Sequence, residues 1–387
     1  MKTVLVLLIA LVATASCNLA LDKFAEGNHK FTARLYNEIL KANIGKNFVF
    51  SPFSVEVILA LTRAGAKGKT ASEFSTGVDL PSEEVTEEAL KLFLPLLKSS
   101  NENLRLTTAN KLYINSNFSI LDSYKKLAVS TYDAATENVD FTKTTETANR
   151  INQWVEERTN NKIQNLVKPE SLDDVQLVLI NALHFKGKWS NPFVPSVTKS
   201  DFYVSATERT TVDMMFTEDT FKYAESADLD AKFIELPYEG GNVSMTVVLP
   251  NKVEGLAALE RNLQAVFQPQ NYQELYVSVK LPTFLTETEL NLTPLLKNLG
   301  LATIFSESAD LSGIASEPLM VSEVLQKAFI NVTTTGTEAA ATTALYGLLL
   351  SAPIYSTPVV YFTADHPFFY YIKIHELILF IGKVKHS

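Results

Sequence analysis

The sequence predicts an α+β fold with antiparallel or mixed sheets. The first half of the chain is rich in apolar residues at helical spacing, and the second half is rich in runs with β-strand patterning. Helical and strand segments do not alternate strictly, as they would around a parallel sheet. No Gly/Ser linker, charge block or internal repeat interrupts the 387 residues, so a single domain is expected.

Helical apolar spacing predicts four main helices, at residues 22–42, 51–66, 84–98 and 145–160. Ser51 and Ser54 lie near the start of the second helix, where their hydroxyls can cap free backbone N–H groups. The third helix opens with an acidic first turn, which the helix dipole favours. The fourth helix is polar and amphipathic, with its apolar side around Ile151, Trp154 and Val155.

β-strand patterning marks seven runs, at residues 105–114, 175–187, 211–223, 231–250, 273–286, 320–333 and 358–384. In the fourth run, the glycine pair at 240–241 predicts a hairpin turn. The segment from Phe368 to Phe380 is so apolar that a buried strand is expected there.

The composition is typical of a globular protein that is stabilised by its hydrophobic core. Apolar residues make up 46% and charged residues 20% of the chain. The net charge of −9, with no run of Lys or Arg, disfavours nucleic acid and anionic membranes as partners.

The N-terminus has the pattern of a secretory signal peptide over residues 1–17. Lys2 provides the positive charge, Val4–Val12 the apolar segment, and Ala13–Ala15 a small-residue cleavage pattern. Cleavage is expected after Ala15 or after Cys17, which is the only cysteine. The mature domain, residues 18–387, is therefore expected to be secreted and extracellular. Asn-x-Ser/Thr sequons begin at Asn117, Asn242, Asn291 and Asn331, and the first three are predicted glycosylation sites.

Motifs for catalysis are not found in the sequence. The five histidines are His29, His184, His366, His375 and His386, and no two of them have the spacing of paired zinc ligands. Neither a nucleophile elbow nor a dinucleotide fingerprint is present. Gly68-Lys69-Thr70 resembles the end of a phosphate loop, but position 63, where that loop needs a glycine, is Arg63. We therefore expect no enzyme activity, no cofactor and no metal site.

The segment Gly336–Ala344 (GTEAAATTA) consists mostly of small residues and begins with a glycine. Such a segment can lie in water as a loop or fit between two β-strands without steric conflict. It is therefore a candidate moving part, although a passive linker is the simpler alternative.

Taken together, eight segments resemble the serpins, the serine-protease-inhibitor superfamily. They are Asn47–Val55 (NFVFSPFSV), Ala64–Gly68 (AGAKG), Ile151–Val155 (INQWV), Asn181–Trp189 (NALHFKGKW), Ala309–Ile314 (ADLSGI), Val324–Ile330 (VLQKAFI), Gly336–Ala344 and Ala364–Phe369 (ADHPFF). The resemblance implies three sheets, eight or nine helices and an exposed reactive loop at about residues 336–360. It also implies suicide inhibition, in which a protease cuts the loop and the cut loop inserts as a new strand of the central sheet.

The composition of the loop agrees with that mechanism. The hinge residues are Gly336, Thr337, Glu338, Ala339, Ala340, Ala341 and Thr342. Because side chains alternate in a strand, the face that begins with Thr337 is small or apolar through Leu349, and Glu338 falls on the opposite face. No charge would have to be buried on the inner face, where it would cost several kcal/mol.

The loop register of the family implies a scissile bond at Leu350–Ser351, with Leu348, Leu349 and Tyr355 as alternatives. A leucine suits an apolar specificity pocket, so chymotrypsin-like, elastase-like or cathepsin-G-like proteases are the expected targets. Trypsin-like proteases are not, because residues 339–365 contain neither Lys nor Arg.

The sequence departs from the pattern of the family in two respects. Members of the family usually have a glutamate and a lysine that pair near Trp189, at the top of the central sheet. Here Thr334 and Thr283 stand at these two positions. We therefore expect the top of the sheet to be stabilised by contacts other than this ion pair. The histidine that often precedes Lys-Ala is Gln326, whose amide can still join Ser51, Ser54 and Asn181 in the hydrogen-bonded cluster that gates sheet opening.

The sequence thus predicts a secreted, monomeric inhibitory serpin, with a non-inhibitory carrier, chaperone or storage serpin as the alternative. A heparin-type polyanion is not expected as a partner. The helix at 84–98 mixes Lys91 and Lys98 with several glutamates, which favours an ordinary solvated surface.

Overall fold

The structure is a computed structural model that describes residues 2–98, 103–196, 199–337 and 358–386; for residues 2–18 and residue 98 it describes the backbone alone. The described residues contain nine α-helices: α1 (Lys2–Ala42), α2 (Pro52–Ala64), α3 (Gly68–Gly77), α4 (Glu83–Lys98), α5 (Asp122–Tyr132), α6 (Thr144–Arg158), α7 (Leu256–Glu260), α8 (Leu263–Val266) and α9 (Thr293–Asn298). The four predicted helices correspond to α1, α2, α4 and α6. The other five are shorter, and their apolar spacing is too brief to stand out in the sequence.

The described strands number seventeen: β1 (Phe48–Phe50), β2 (Leu104–Asn115), β3 (Ala135–Val139), β4 (Leu177–Lys188), β5 (Val194–Pro195), β6 (Ser200–Tyr203), β7 (Arg209–Val212), β8 (Met214–Ser226), β9 (Ala231–Pro237), β10 (Val243–Pro250), β11 (Gln273–Pro282), β12 (Phe284–Asn291), β13 (Glu323–Thr333), β14 (Gly336–Thr337), β15 (Val360–Thr363), β16 (Phe368–Ile374) and β17 (Leu377–Val384). They form three sheets, so the α+β class is confirmed.

Six strands form what we call the central sheet, in the order β12-β13-β14-β4-β2-β3. Because β14 has only two residues, β13 and β4 also pair directly with each other. A nine-stranded sheet has the order β1-β17-β16-β10-β9-β8-β11-β15, with β5 paired to β8. Strands β6 and β7 form a separate two-stranded sheet.

Several of the predicted runs are divided between strands in the structure. The run at 273–286 is not one strand, because β11 ends at Pro282 in the nine-stranded sheet and β12 begins at Phe284 in the central sheet. The prediction of one buried strand from Phe368 to Phe380 is also wrong. The chain turns at His375, whose φ is +51°, and forms the β16–β17 hairpin. The hairpin predicted at Gly240–Gly241 is confirmed, since both glycines have positive φ between β9 and β10.

The two faces of the central sheet are covered by different layers. One face packs against the main core, where α2 lies between the central sheet and β17. The other face carries a smaller apolar cluster beneath α6 and the chain that follows it, with Ile151, Val155 and Ile163 against Val178 and Ile180. The central sheet is thus buried on both faces at its middle strands, as the apolar run of β4 requires.

Candidate functional site

The hinge of the predicted loop lies at the head of the central sheet. Strand β13 ends at Thr333, a two-residue turn follows, and β14 then runs back antiparallel to β13. On its other side β14 is also antiparallel to β4, with Gly336 opposite Lys188 and Thr337 opposite Gly187. The first two residues after the turn are therefore already a short strand between β13 and β4.

Gly336 is required by its surroundings. Its φ is +150°, and a Cβ at this position would lie 2.0 Å from the carbonyl oxygen of Gly187. No L side chain fits there without moving the backbone of β4. The glycine that opens the small-residue segment therefore allows the close approach of β14 to β4.

Donors from the chain that follows β4 hold the turn before β14. The indole Nε1 of Trp189 donates to the carbonyl of Thr333 at 2.9 Å, and the backbone N–H of Trp189 donates to the carbonyl of Thr335 at 3.1 Å. The backbone N–H of Phe193 donates to the carbonyl of Thr334 at 2.9 Å. Trp189 is 1% exposed, so its contacts with the turn are shielded from water.

Thr337 points into the molecule and is fully buried. Its hydroxyl lies 2.8 Å from the hydroxyl of Tyr238, which also is fully buried. The ring of Tyr238 stacks on Trp189 with centroids 4.4 Å apart and packs edge-on against Phe185 at 5.0 Å. Burial raises the pKa of the Tyr238 phenol, which therefore stays neutral at physiological pH. The inward orientation of Thr337 is the one expected for a small, uncharged inner face.

The remaining hinge positions and the predicted scissile bond lie outside the described residues. These positions are Glu338, Ala339, Ala340, Ala341, Thr342, Leu350 and Ser351, together with the alternatives Leu348, Leu349 and Tyr355. Their assignment stays a prediction.

Below β14, the central sheet has the pairing that strand insertion would replace. Strands β13 and β4 run parallel over seven residue pairs, from Glu323 opposite Val178 to Phe329 opposite His184. A longer β14 would separate these strands and pair antiparallel with each of them, as its first two residues do. One parallel ladder would be exchanged for two antiparallel ladders, which are slightly more stable per residue. Such an extension of β14 would add backbone hydrogen bonds to the central sheet.

The structure brings the four predicted members of the polar cluster together beneath the start of α2. The Gln326 amide Nε2 donates to the Ser51 carbonyl at 2.9 Å and to Asn181 Oδ1 at 2.5 Å. Gln326 Oε1 accepts from the Ser51 backbone N–H at 3.1 Å. Asn181 Nδ2 donates in turn to the hydroxyl of Ser54. All four residues are fully buried.

Asn110 is a fifth member of this cluster, and sequence reasoning missed it. Its Oδ1 accepts from Asn181 Nδ2 at 2.6 Å and from the Ser54 hydroxyl at 3.2 Å. Asn110, Asn181 and Gln326 are paired neighbours on β2, β4 and β13, so they form one row across three strands. The available signal was an Asn, a residue depleted in strands, within the predicted run 105–114. The gating role of the cluster stays a prediction.

Ser51 and Ser54 have different roles at the start of α2. Ser51 is the N-cap of α2, and its hydroxyl accepts from the Ser54 backbone N–H at 3.3 Å. Ser54 is not a cap, because it lies inside the helix and its hydroxyl bonds to the central sheet. The expectation of two caps was wrong for Ser54.

The two threonines at the sheet top are held by backbone contacts. Thr283 N–H and Oγ1 both donate to the carbonyl of Asp213, at 2.9 and 3.3 Å. The Thr334 carbonyl accepts from Phe193, as described above. Beside them lies an open groove lined by Asp213, Thr283 and Thr333.

The predicted glycosylation sites differ in their surroundings. Asn117 and Asn242 are exposed in turns. Asn291 is exposed at the end of β12, but its amide donates to Glu323 at 2.7 Å. Asn331, the remaining sequon, is half-buried within β13.

On α4, Lys91 lies 3.6 Å from Glu87 in an ion pair on the helix surface. Within the described residues, no group of His, Cys, Asp and Glu side chains has the arrangement of a metal site. In the same part of the chain, no helix is apolar over enough of its length to cross a bilayer.

The fold, the docked hinge and the polar cluster together define a serpin. The family model described as "Serpin (serine protease inhibitor)" matches residues 26–387, so the chain belongs to this family. The silkworm (Bombyx mori) protein "Antitrypsin" is 36% identical over 390 residues, which cover 99% of each chain. "Antichymotrypsin-2", also from Bombyx mori, is 37% identical over 92% of this chain and 96% of its own.

A solved structure gives the same result for the fold. Serpin48 of the insect Tenebrio molitor, titled a highly specific serpin, superposes with a TM-score of 0.86 and is 42% identical over 95% of this chain and 98% of its own. The family and its inhibitor relatives support protease inhibition in general as the activity of this chain.

Proposed function

We propose that this protein is a secreted inhibitor that traps chymotrypsin-like or elastase-like serine proteases as covalent complexes by inserting its cut loop into the central sheet. The observation that carries this proposal is β14, which already lies between β13 and β4 and is antiparallel to both. A loop that continues this strand would complete a ladder whose first two residues are in place.

The covalent step follows ordinary acyl transfer. The protease serine hydroxyl attacks the carbonyl carbon of Leu350, and the bond from Leu350 to Ser351 breaks. The protease histidine takes the serine proton and returns it to the departing Ser351 amine. The acyl-enzyme persists if insertion moves the protease before water hydrolyses the ester.

The energy for this movement comes from the new strand. Each backbone hydrogen bond contributes about 0.5–1.5 kcal/mol net, and a dozen or more would supply on the order of 10 kcal/mol. The buried contact between the hydroxyls of Thr337 and Tyr238 supports the proposal, because it gives a small polar side chain of the hinge a partner inside the sheet. The choice of protease rests on the loop itself, which contains no Lys or Arg over residues 339–365.

The test is incubation with chymotrypsin, elastase and trypsin in parallel. We expect an SDS-resistant band at the summed mass with chymotrypsin or elastase and none with trypsin. Mass spectrometry of the released C-terminal peptide locates the cut. The matched variant Leu350→Arg should shift complex formation to trypsin. Clean cleavage without a covalent band would instead identify a substrate-like, non-inhibitory relative.

Secretion is tested separately. Expression of the full chain in insect cells should release protein into the medium with an N-terminus at residue 16 or 18. Retention of the intact leader in the cell fraction would contradict the proposed signal peptide.

A further inference from the structure

We propose that the Tyr238 hydroxyl is a positioning group that docks Thr337 in the uncut protein and thereby fixes the register in which the loop inserts. The proposal rests on the loop insertion proposed above. It concerns described residues only, namely Thr333, the turn at 334–335, β14, and the hairpin between β9 and β10.

The turn is anchored independently of the strand that follows it. The carbonyls of Thr333, Thr334 and Thr335 accept hydrogen bonds from Trp189 and Phe193. The next carbonyl, that of Gly336, accepts from the Thr333 hydroxyl at 2.8 Å. Four successive carbonyls therefore have fixed partners, so the direction in which the chain leaves the turn is set before any protease arrives.

The Tyr238 hydroxyl is held at one point in space. Its ring lies between Trp189 and Phe185, with the distances given above. A Cβ on Gly187 would come within 2.7 Å of Tyr238 Cδ1, so the glycine leaves just enough room for the ring. Tyr238 belongs to the β9–β10 connection of the nine-stranded sheet, and it forms an isolated β-bridge with Trp189. Its bond to Thr337 therefore joins two sheets at the head of the central sheet.

Only one register of β14 gives the Tyr238 hydroxyl a hydrogen-bond partner on the strand. A slip by one residue in a strand reverses which side chains face inward. A slip in one direction would place Gly336 against Tyr238, which offers no side-chain partner. A slip in the other direction would bring a glutamate into a fully buried site, where an unpaired charge is costly. The Tyr238–Thr337 bond therefore selects the register in which the small, uncharged face of the loop enters the sheet.

This selection matters because insertion competes with hydrolysis of the acyl-enzyme. If β14 is already paired in the correct register, insertion only has to add further residues to this strand. If β14 is frayed, it must first pair with β13 and β4 in the correct register. The loss of one net hydrogen bond corresponds to about a two- to tenfold slower productive insertion. More acyl-enzyme would then be hydrolysed, and more inhibitor would be consumed for each protease trapped.

The experiment compares Tyr238→Phe, Thr337→Val and the double variant. Both single variants remove the same bond and keep the shape of the side chain. We therefore expect each to raise the excess of the stoichiometry of inhibition above one about two- to tenfold, and the double variant to be no worse than the singles. Thr337→Ser, which keeps a hydroxyl, should restore most of the loss. Additive effects in the double variant, or no rescue by serine, would overturn the proposal.

A second readout does not need a protease. Amide hydrogen exchange at residues 336–337 of the uncut protein should become faster in Tyr238→Phe and in Thr337→Val. As a control, Tyr124→Phe removes a buried hydroxyl that donates to the Leu61 carbonyl at 3.0 Å, far from the hinge, and should leave that exchange unchanged. Unchanged exchange in the hinge variants would refute the docking role even if covalent complexes form. Faster exchange with no covalent complex from any protease would instead support the docking role and count against the proposed inhibition.

Discussion

At the scale of single residues, two glycines meet at the head of the central sheet for different reasons. Gly336 leaves space for the backbone of β4, and Gly187 leaves space for the ring of Tyr238. The carbonyl of Gly187 is also the atom that a Cβ on Gly336 would strike. The two positions therefore form one close contact, in which a backbone strand and an aromatic ring replace the side chains that these residues lack.

A second residue-scale feature is a buried acid in α2. Glu56 is fully buried, and its Oε2 accepts from Asn28 Nδ2 at 2.7 Å. Burial raises the pKa of Glu56 well above 4.5, the Asn28 bond opposes this rise, and the Asp79 carboxylate adds to it. The carboxyl is therefore held in its neutral form in the folded protein near pH 4.5 and over a range above it.

Glu56 should make the uncut protein less stable as pH rises. In the unfolded chain the carboxyl ionises above about pH 4.5, whereas in the folded chain it ionises only at higher pH. Its contribution is thus fully present below pH 4.5 and falls by about 1.4 kcal/mol per pH unit until the folded pKa is reached. Glu56→Gln, which stays neutral, should unfold at higher urea concentration than the wild type at pH 7.

The control for this prediction is the same comparison at pH 4, where the two proteins should be nearly equally stable. A constant difference at all pH values would show that packing, and not ionisation, separates them. Glu26→Gln provides a matched surface variant, since Glu26 is exposed and pairs with Lys30. It should show no comparable gain at pH 7.

At the scale of elements, the polar row of Asn110, Asn181 and Gln326 lies across the boundary that must open. The bond from Gln326 to Asn181 joins β13 to β4, the two strands between which β14 would grow. A buried, fully connected network of this kind is costly to break in part. We therefore expect the row to hold the sheet closed on the side where Ser51 and Ser54 anchor it to α2.

We expect Gln326→Leu to destabilise the uncut protein by about 2–5 kcal/mol, because Ser51 and Asn181 would lose buried hydrogen-bond partners. Thermal unfolding of uncut and cut protein measures this. Most of the loss should appear in the uncut form, since insertion separates Gln326 from Asn181 in any case. Gln326→His, the residue common in the family, should be the milder change. Equal losses in both forms would contradict a role in holding the sheet closed.

The hinge strand yields a second element-scale prediction. Thr337 is fully buried, so Thr337→Arg would require a guanidinium to enter the packed space beside Tyr238. We expect this variant to be cut by the target protease without forming a covalent complex. Gel analysis at a fixed inhibitor-to-protease ratio measures the outcome. Thr207→Arg, on an exposed bend between β6 and β7, is the matched control and should inhibit normally. An unchanged stoichiometry in Thr337→Arg would argue against insertion of this residue.

At the scale of the whole molecule, the proposed mechanism predicts that the uncut protein is less stable than the cut form with its loop inserted. The parallel pairing of β13 with β4 covers seven residue pairs, and the loop that could replace it is covalently attached at β14. While both ends of the loop are fixed, extension of β14 is limited. The native state is therefore expected to be maintained by kinetics.

Cutting the loop should raise the melting temperature by tens of degrees, because insertion adds hydrogen bonds that the uncut protein does not form. Calorimetry of uncut and cut protein gives the comparison. The cut form of Thr337→Arg is the control, and it should melt close to the uncut protein. A cut wild-type protein with an unchanged melting temperature would refute insertion, whatever its effect on proteases.

The sequence by itself determined the class of fold and the four main helices, and it predicted the position of the hinge. Apolar spacing is a local property, and the glycine that opens a run of small residues is visible without a structure. The resemblance to the serpins also predicted four of the five residues of the polar cluster, namely Ser51, Ser54, Asn181 and Gln326. Asn110 was missed because its role depends on the neighbouring strand to which it is paired.

Only the tertiary structure decided which segments share a sheet and which side chains meet. Nothing in the local pattern of 273–286 shows that its two halves enter different sheets at Thr283. Likewise, Tyr238 and Thr337 are 99 positions apart, and their bond exists because two sheets meet at Trp189. Periodicity reports which face of an element is apolar, but the partner of that face is fixed by the packing of the whole chain.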